Sequence, residues 1–226
     1  MNAIRVVLVE DDPGWIKAIT AFLNREEDLL VVGAATNAAE AASLARTLAF
    51  DVVLMDIQLT DRKLEGIYAA MEIHELAPRA KIIMLTSMSE ETVMTKAFTA
   101  GAVNYIEKTN YLHLPHAIRA AYHHSAPMDA LLKEFARLKR EEQLKPLTAA
   151  EREVFELIEA GYTQPQIERK LFKAESTLKN QVNKMLKKLG VRSSKEAVEK
   201  VRRIGLAPEK PDGGRDGAGG SEEPRA

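Results

Sequence analysis

Residues 51–59 read DVVLMDIQL, four apolar side chains between two aspartates and then two more around a glutamine. Apolar residues at consecutive rather than alternate positions suit a strand covered on both faces, the condition of a parallel sheet held between two helical layers. A carboxylate at the end of such a strand, here Asp56, lies at the rim of the sheet, where ligands bind in folds of that kind. The question is why a charged group sits between two aliphatic clusters.

Similar runs recur on either side: IRVVLV (4–9), LLVVGAA (29–35), KIIMLT (81–86) and VNYIE (103–107). Amphipathic or Ala-rich stretches separate them at 13–25, 37–48, 65–76 and 90–100, with a fifth at 112–124. This alternation predicts a doubly wound α/β domain over residues 1–124, built on a five-stranded parallel sheet. From Asp129 the segment DALLKEFARLKREEQ places Leu131, Leu132, Phe135 and Leu138 at helical spacing, which predicts a helical linker over 125–146. Residues 147–206 then read as an all-helical domain, with helices at 148–160, 164–171, 176–189 and 193–204 and with Gly161 and Gly190 as C-terminal caps. The segment 207–226 is so rich in Pro, Gly and charge that disorder is expected.

A chain of 226 residues, 46% hydrophobic and 29% charged, suffices for two modest cores. No apolar stretch approaches the roughly 18 residues of a spanning helix, and the N-terminus lacks the pattern of a secretory signal, so a cytoplasmic protein without a membrane partner is expected. The absence of cysteine excludes disulfides, thiolate metal sites and cysteine nucleophiles. The net charge of -1 hides opposed halves: residues 1–125 carry a net -5 and residues 146–207 a net +5. An acidic module is joined to a basic one suited to polyanions.

The predicted strand ends deliver Glu10, Asp11, Asp12 and Asp56 to one edge of the sheet, together with Thr86, Ser87 and Lys108. Two carboxylates about 5 Å apart repel by roughly 3 kcal/mol at an effective dielectric of about 20, so the cluster calls for a cation. Oxygen-only ligands favour Mg²⁺. Asp56 beside it is placed to attack phosphorus and form an aspartyl phosphate, with Lys108 neutralising charge and Thr86 donating a hydrogen bond to the transferred group. A single aspartate at a strand end is more often a turn or cap residue. It is the convergence of four strand ends that favours chemistry.

In these residues the first 124 positions resemble the receiver domain of two-component response regulators, a flavodoxin-like fold. The resemblance implies that Glu10 and Asp11, with Asp56, hold Mg²⁺, and that Asp56 is the phosphoacceptor. It further makes Thr86 the switch hydroxyl, Lys108 the partner of the phosphoryl group and Tyr105 the aromatic switch. Asp12 is expected to cap the following helix. Three features depart from the family pattern: Thr60 replaces a common proline, the loop to Gly66 is about two residues longer, and Thr109 follows Lys108 where proline is usual.

In the basic half, STLKNQVNKMLKKLG (176–190) carries four lysines and no acid. Leu178, Val182, Met185, Leu186 and Leu189 share one helical face, while Ser176, Asn180, Asn183, Lys184 and Lys187 lie away from it and Lys179 and Lys188 flank it. Lysines neutralise phosphates, and amide side chains pair with adenine in the major groove. Taken alone, such a helix is most often a solvated surface element. With the short helix and tight turn before it, residues 147–202 resemble the DNA-binding domain of the LuxR/NarL class. The resemblance implies that Thr177, Lys179, Asn180 and Asn183 face DNA and that Lys184 and Lys187 meet phosphates. Glu168 replaces a small alanine of that pattern and Gln181 a common histidine, while Pro165 fits a first helical turn.

Together these expectations describe a transcription factor, not itself an enzyme, that a cognate histidine kinase phosphorylates and that binds double-stranded DNA, as a homodimer when phosphorylated. Two alternatives remain at this stage. One is a Mg²⁺-dependent phosphatase working through an aspartyl phosphate, although the D-x-D pattern of such enzymes is missing from the first strand. The other is a receiver that takes no phosphate and acts as a constitutive interaction module.

Overall fold

The computed structural model describes residues 3–59, 64–87, 91–124 and 126–203. Thr60, Ile204 and the segment 207–226 lie outside the described residues. Five strands, β1 (Ile4–Val9), β2 (Leu29–Ala35), β3 (Val52–Asp56), β4 (Lys81–Thr86) and β5 (Ala102–Glu107), form one parallel sheet in the order β2-β1-β3-β4-β5. Between and after them run α1 (Pro13–Leu23), α2 (Ala38–Thr47), α3 (Glu65–Leu76), α4 (Glu91–Thr99) and α5 (Leu114–His123).

The consecutive apolar residues of β3 are divided between two cores. Val53 and Met55 pack with Ile67, Ala70 and Ile73 of α3 and with Val93 and Ala97 of α4. Val52 and Leu54 pack on the other face with Ile19 and Leu23 of α1 and with Leu114 and Ile118 of α5. Each strand residue therefore removes apolar surface from water on its own side, at roughly 25 cal/mol per Å². The predicted fifth helix is shorter than its pattern: Lys108–His113 form a 3₁₀ turn, and α5 begins at Leu114 with Pro115 in its first turn, where a missing N–H costs nothing.

At the opposite edge of the sheet from Asp56, the other aspartate of the run fastens β3 to β1. Asp51 accepts from Arg5 Nε at 2.9 Å, from Arg5 Nη2 at 2.8 Å and from the Arg5 backbone N–H at 2.9 Å.

Beyond the sheet, α6 (Ala126–Leu144) leads to α7 (Ala149–Glu159), α8 (Gln164–Leu171), α9 (Glu175–Leu189) and α10 (Ser194–Arg202). These enclose a third core of Leu144, Val154, Phe155, Ile167, Leu178, Val182, Met185, Leu189, Ala197 and Val201. Gly161 (φ 85°) follows α7 and Gly190 (φ 66°) ends α9, both in the left-handed conformation that glycine adopts without steric cost. α6 packs on α4 and β5, and ion pairs tie the parts together: Lys81 to Asp129 at 2.7 Å, Arg202 to Glu75 at 3.2 Å and Arg152 to Glu141 at 2.5 Å.

Hydrogen bonds from Arg5 outweigh the burial of Asp51 and hold its carboxyl below the ordinary aspartate value of 3.8. A depressed folded value stabilises above the unfolded value and loses that contribution as pH falls through the folded one. Asp51→Asn is therefore expected to lower the melting temperature at pH 7, with the deficit shrinking as pH falls below 3.8, as measured by thermal melts of both proteins across pH.

Candidate functional site

β1 and β3 are neighbours in the sheet, and this pairing brings their C-terminal ends together. One carboxylate oxygen from each of Glu10, Asp11 and Asp56 lies within 4.8 Å of the others. Glu10 and Asp56 are buried and Asp11 is exposed. Asp12 stands apart as a cap: its Oδ1 accepts from the N–H groups of Gly14 at 2.7 Å and Trp15 at 3.2 Å, starting α1.

Lys108, the first residue after β5, reaches into this cluster. Its Nζ lies 3.0 Å from Asp56 Oδ2 and 2.6 Å from Glu10 Oε2. Burial works against the ammonium, but hydrogen bonds to Glu10 and Asp56 outweigh it and raise its pKa. For the acids the balance is reversed. Burial pushes Asp56 above the usual carboxylate range against the pull of Lys108, and burial also raises Glu10, with the charge of Asp56 adding to the effect.

Three carboxylates thus face one ammonium. The donor set is all oxygen, two of its members are buried, and the acid charge exceeds the neighbouring base charge. That chemistry fits a small hard divalent cation such as Mg²⁺, which takes carboxylate oxygens and retains waters.

Thr86 ends β4 in a buried position, one residue beyond Leu85, which pairs with Asp56. Tyr105 is half-buried on β5, opposite Met84 and against the core of the α3 and α4 face. The fold therefore gathers Glu10, Asp11, Asp56, Thr86 and Lys108 at one edge and sets Tyr105 on the strand that leads to Lys108.

Two further residues shape the site. Trp15 places its ring 5.1 Å from Lys108 Nζ, a cation–π contact that covers the ammonium. Gly66, in the first turn of α3, donates its N–H to Ile57 O at 3.0 Å, and a Cβ built on it would stand 1.7 Å from the backbone oxygen of Asp56. Helix α3 abuts the end of β3 so closely that no side chain fits between them. A lone glycine at the start of a predicted helix was the available signal.

The second candidate surface is α9. Leu178, Val182, Met185 and Leu189 are buried, whereas Thr177, Lys179, Asn180, Asn183, Lys184 and Lys187 are all exposed. Lys188 is committed elsewhere: its Nζ lies 2.6 Å from Glu151 Oε2, and Glu151 also accepts from the Thr148 N–H at 2.8 Å in the capping box of α7. Gln181 is likewise engaged, accepting from Lys173 Nζ at 3.1 Å. Pro165 occupies the first turn of α8, and Glu168 is half-buried while Ile167 beside it reaches the core. Phe172 caps α8 in the left-handed conformation (φ 51°). Helices α8 and α9 with this turn have helix-turn-helix form.

Residues 6–119 match the family described as response regulator receiver domain, and residues 145–201 match bacterial regulatory proteins of the luxR family. The transcriptional regulatory protein YxjL of Bacillus subtilis is 33% identical over 215 residues, covering 91% of this chain and 98% of its own. The response regulator protein VraR of Staphylococcus epidermidis is 32% identical over 200 residues, covering 87% of this chain and 95% of its own. Among solved structures, a LuxR-family two-component response regulator from Aurantimonas sp. SI85-9A1 superposes with a TM-score of 0.51 at 29% identity, covering 59% of this chain and 97% of that one.

The contact at Gly66 supplies a test of how the acidic edge is built. Gly66→Ala must push α3 away from Asp56, and overpacking of this kind costs about 1–3 kcal/mol. A chemical denaturation curve is expected to show that loss, and Mg²⁺ is expected to raise the melting temperature of the variant less than that of the parent chain.

Proposed function

The chain belongs to the response regulators that join a receiver domain to a luxR-family DNA-binding domain, and on that premise we propose that Asp56 accepts a phosphoryl group and thereby controls DNA binding through α9. The observation that carries this reading is the position of Lys108 Nζ, between Asp56 Oδ2 at 3.0 Å and Glu10 Oε2 at 2.6 Å, at an edge that also holds Asp11 and Thr86.

The donor is a histidine kinase or a small phosphorylated compound. An Asp56 carboxylate oxygen forms a bond to phosphorus as the bond to the donor breaks, phosphorus–nitrogen with imidazole leaving from a phosphohistidine or phosphorus–oxygen with a carboxylate leaving from a small acyl phosphate, and an acyl phosphate remains on this chain. Lys108 supplies a positive charge to the phosphoryl oxygens, and the Thr86 hydroxyl donates to one of them. Mg²⁺ held by Glu10, Asp11 and Asp56 would offset the remaining negative charge. The chain serves as acceptor of the group, not as an enzyme turning over a substrate.

Capture of the phosphoryl group by Thr86 draws the end of β4 inward, and Tyr105 on the neighbouring strand follows. Because α6 packs on α4 and β5, rearrangement there reaches the linker and the DNA-binding module. The phosphorylated chain dimerises, so that two copies of α9 meet paired half-sites on the duplex. Thr177, Lys179, Asn180 and Asn183 face base edges in the major groove, and Lys184 and Lys187 contact phosphates. No helix among the described residues is long and apolar enough to cross a membrane, and the cytoplasm is where kinase, nucleotide and DNA meet.

Incubation with acetyl phosphate and Mg²⁺ is expected to add one phosphoryl mass to the chain, and Asp56→Asn to abolish it; persistent labelling of the variant would overturn the assignment. For DNA, Lys184→Ala is expected to reduce the slope of log K against log salt by about 0.9 and weaken all sequences alike. Asn180→Ala should instead cost about 1–3 kcal/mol of discrimination at one base pair, read by binding to a set of single-substitution operators.

A further inference from the structure

Helix α6 uses one face against the receiver and leaves another open. Asp129 pairs with Lys81, and Leu132 and Ala136 line a cleft of about 710 Å³ beneath the helix, which Phe135 also borders. On the open side Leu131 and Leu138 are 62% and 53% exposed. They stand one heptad apart, and the half-buried Met128 and Phe135 fall between and beside them. The residues 128, 131, 135 and 138 thus alternate as the a and d positions of a two-stranded coiled coil.

The flanking charges identify the partner. With Leu131 and Leu138 at d, Glu134 takes a g position and Lys139 an e position. In a parallel pair, g of one helix faces the e position five residues further along the other, so Glu134 of each copy meets Lys139 of its mate. In an antiparallel pair g faces g, which sets Glu134 against Glu134. The seam is self-complementary in the parallel sense.

We propose that two copies of this chain pair in parallel along α6, with Leu131 and Leu138 at the seam and reciprocal Glu134–Lys139 ion pairs beside it. This rests on the phosphorylation-dependent dimer proposed above and specifies where part of its contact lies. Two leucines and their flanks fall well short of the roughly 1,200–2,000 Å² of a stable interface, so the seam adds to a receiver contact and does not replace it. In the single chain Glu134 pairs with Arg137 and Lys139 with Glu142, exposed pairs along the same helix that exchange at little cost. Parallel pairing also brings both α9 helices to the same end of the assembly, as paired half-sites demand.

The cysteine-free sequence allows a direct test in the full chain. With acetyl phosphate and Mg²⁺ present, oxidation of Leu138→Cys is expected to give a disulfide-linked dimer, while Arg137→Cys, one residue away and off the seam, crosslinks far less. In sedimentation under the same conditions, Glu134→Lys and Lys139→Glu are each expected to raise the dimer dissociation constant about tenfold, and the double variant to restore it. Dimers of equal strength in all charge variants, with no preference for crosslinking at 138, would sink the seam and leave dimerisation standing. A chain that stays monomeric although its mass shows the added phosphoryl group would sink both.

Discussion

Three carboxylates at the rim of a sheet share one ammonium, and the surrounding structure serves to hold them so. At such spacing each pair repels by a few kcal/mol even in a partly screened environment, a cost borne by a marginally stable fold. The frame that opposes it is rigid: adjacent parallel strands, a core on each face, a cation covered by Trp15 and a helix start pressed against the backbone of Asp56. The same burial raises the pKa of both Asp56 and Glu10 against the pull of Lys108.

Much of this was legible in the sequence, because the signals were local. Consecutive apolar residues marked strands packed on two sides, and β3 divides Val53 and Met55 from Val52 and Leu54 between opposite cores as that reading requires. The acids and Lys108 were found by following strand ends to one edge. The exposed face of α9 followed from its period, since burial of Leu178, Val182, Met185 and Leu189 leaves the amides and most lysines outward. What stayed hidden depends on contacts between distant residues. A glycine opening a helix marks Gly66 as unusual without naming the Asp56 carbonyl that its missing side chain makes room for, and nothing near Trp15 places it against an ammonium 93 positions later. Lys188 looked like one more solvated lysine, yet it reaches Glu151 on another helix. The expected helix at 112–124 takes in the last two residues of the 3₁₀ turn Lys108–His113, because apolar spacing does not separate the two kinds of turn.

The basic module uses its charges in two ways. Some are spent internally: Lys188 on Glu151 and Lys173 on Gln181 fix α9 against its neighbours. Others, Lys179, Lys184 and Lys187 among them, remain exposed. Lysines on a loosely held helix would lose more entropy on engaging any partner than lysines on a helix fixed in this way. Phe172, 96% exposed in a backbone conformation that usually takes glycine, closes the turn that sets the angle between α8 and α9.

The receiver holds an apolar core on each face of its sheet and the DNA-binding module encloses a third, and among the described residues none belongs to both modules' cores. Between them lie one helix and ion pairs at the surface, Lys81 with Asp129 and Glu75 with Arg202. A recombination event that exchanged either half would leave each core whole and would have to preserve the seat of α6 on α4 and β5 and a few surface charges. Lineages can therefore graft an old operator preference onto a new sensory input, with selection left to adjust the join.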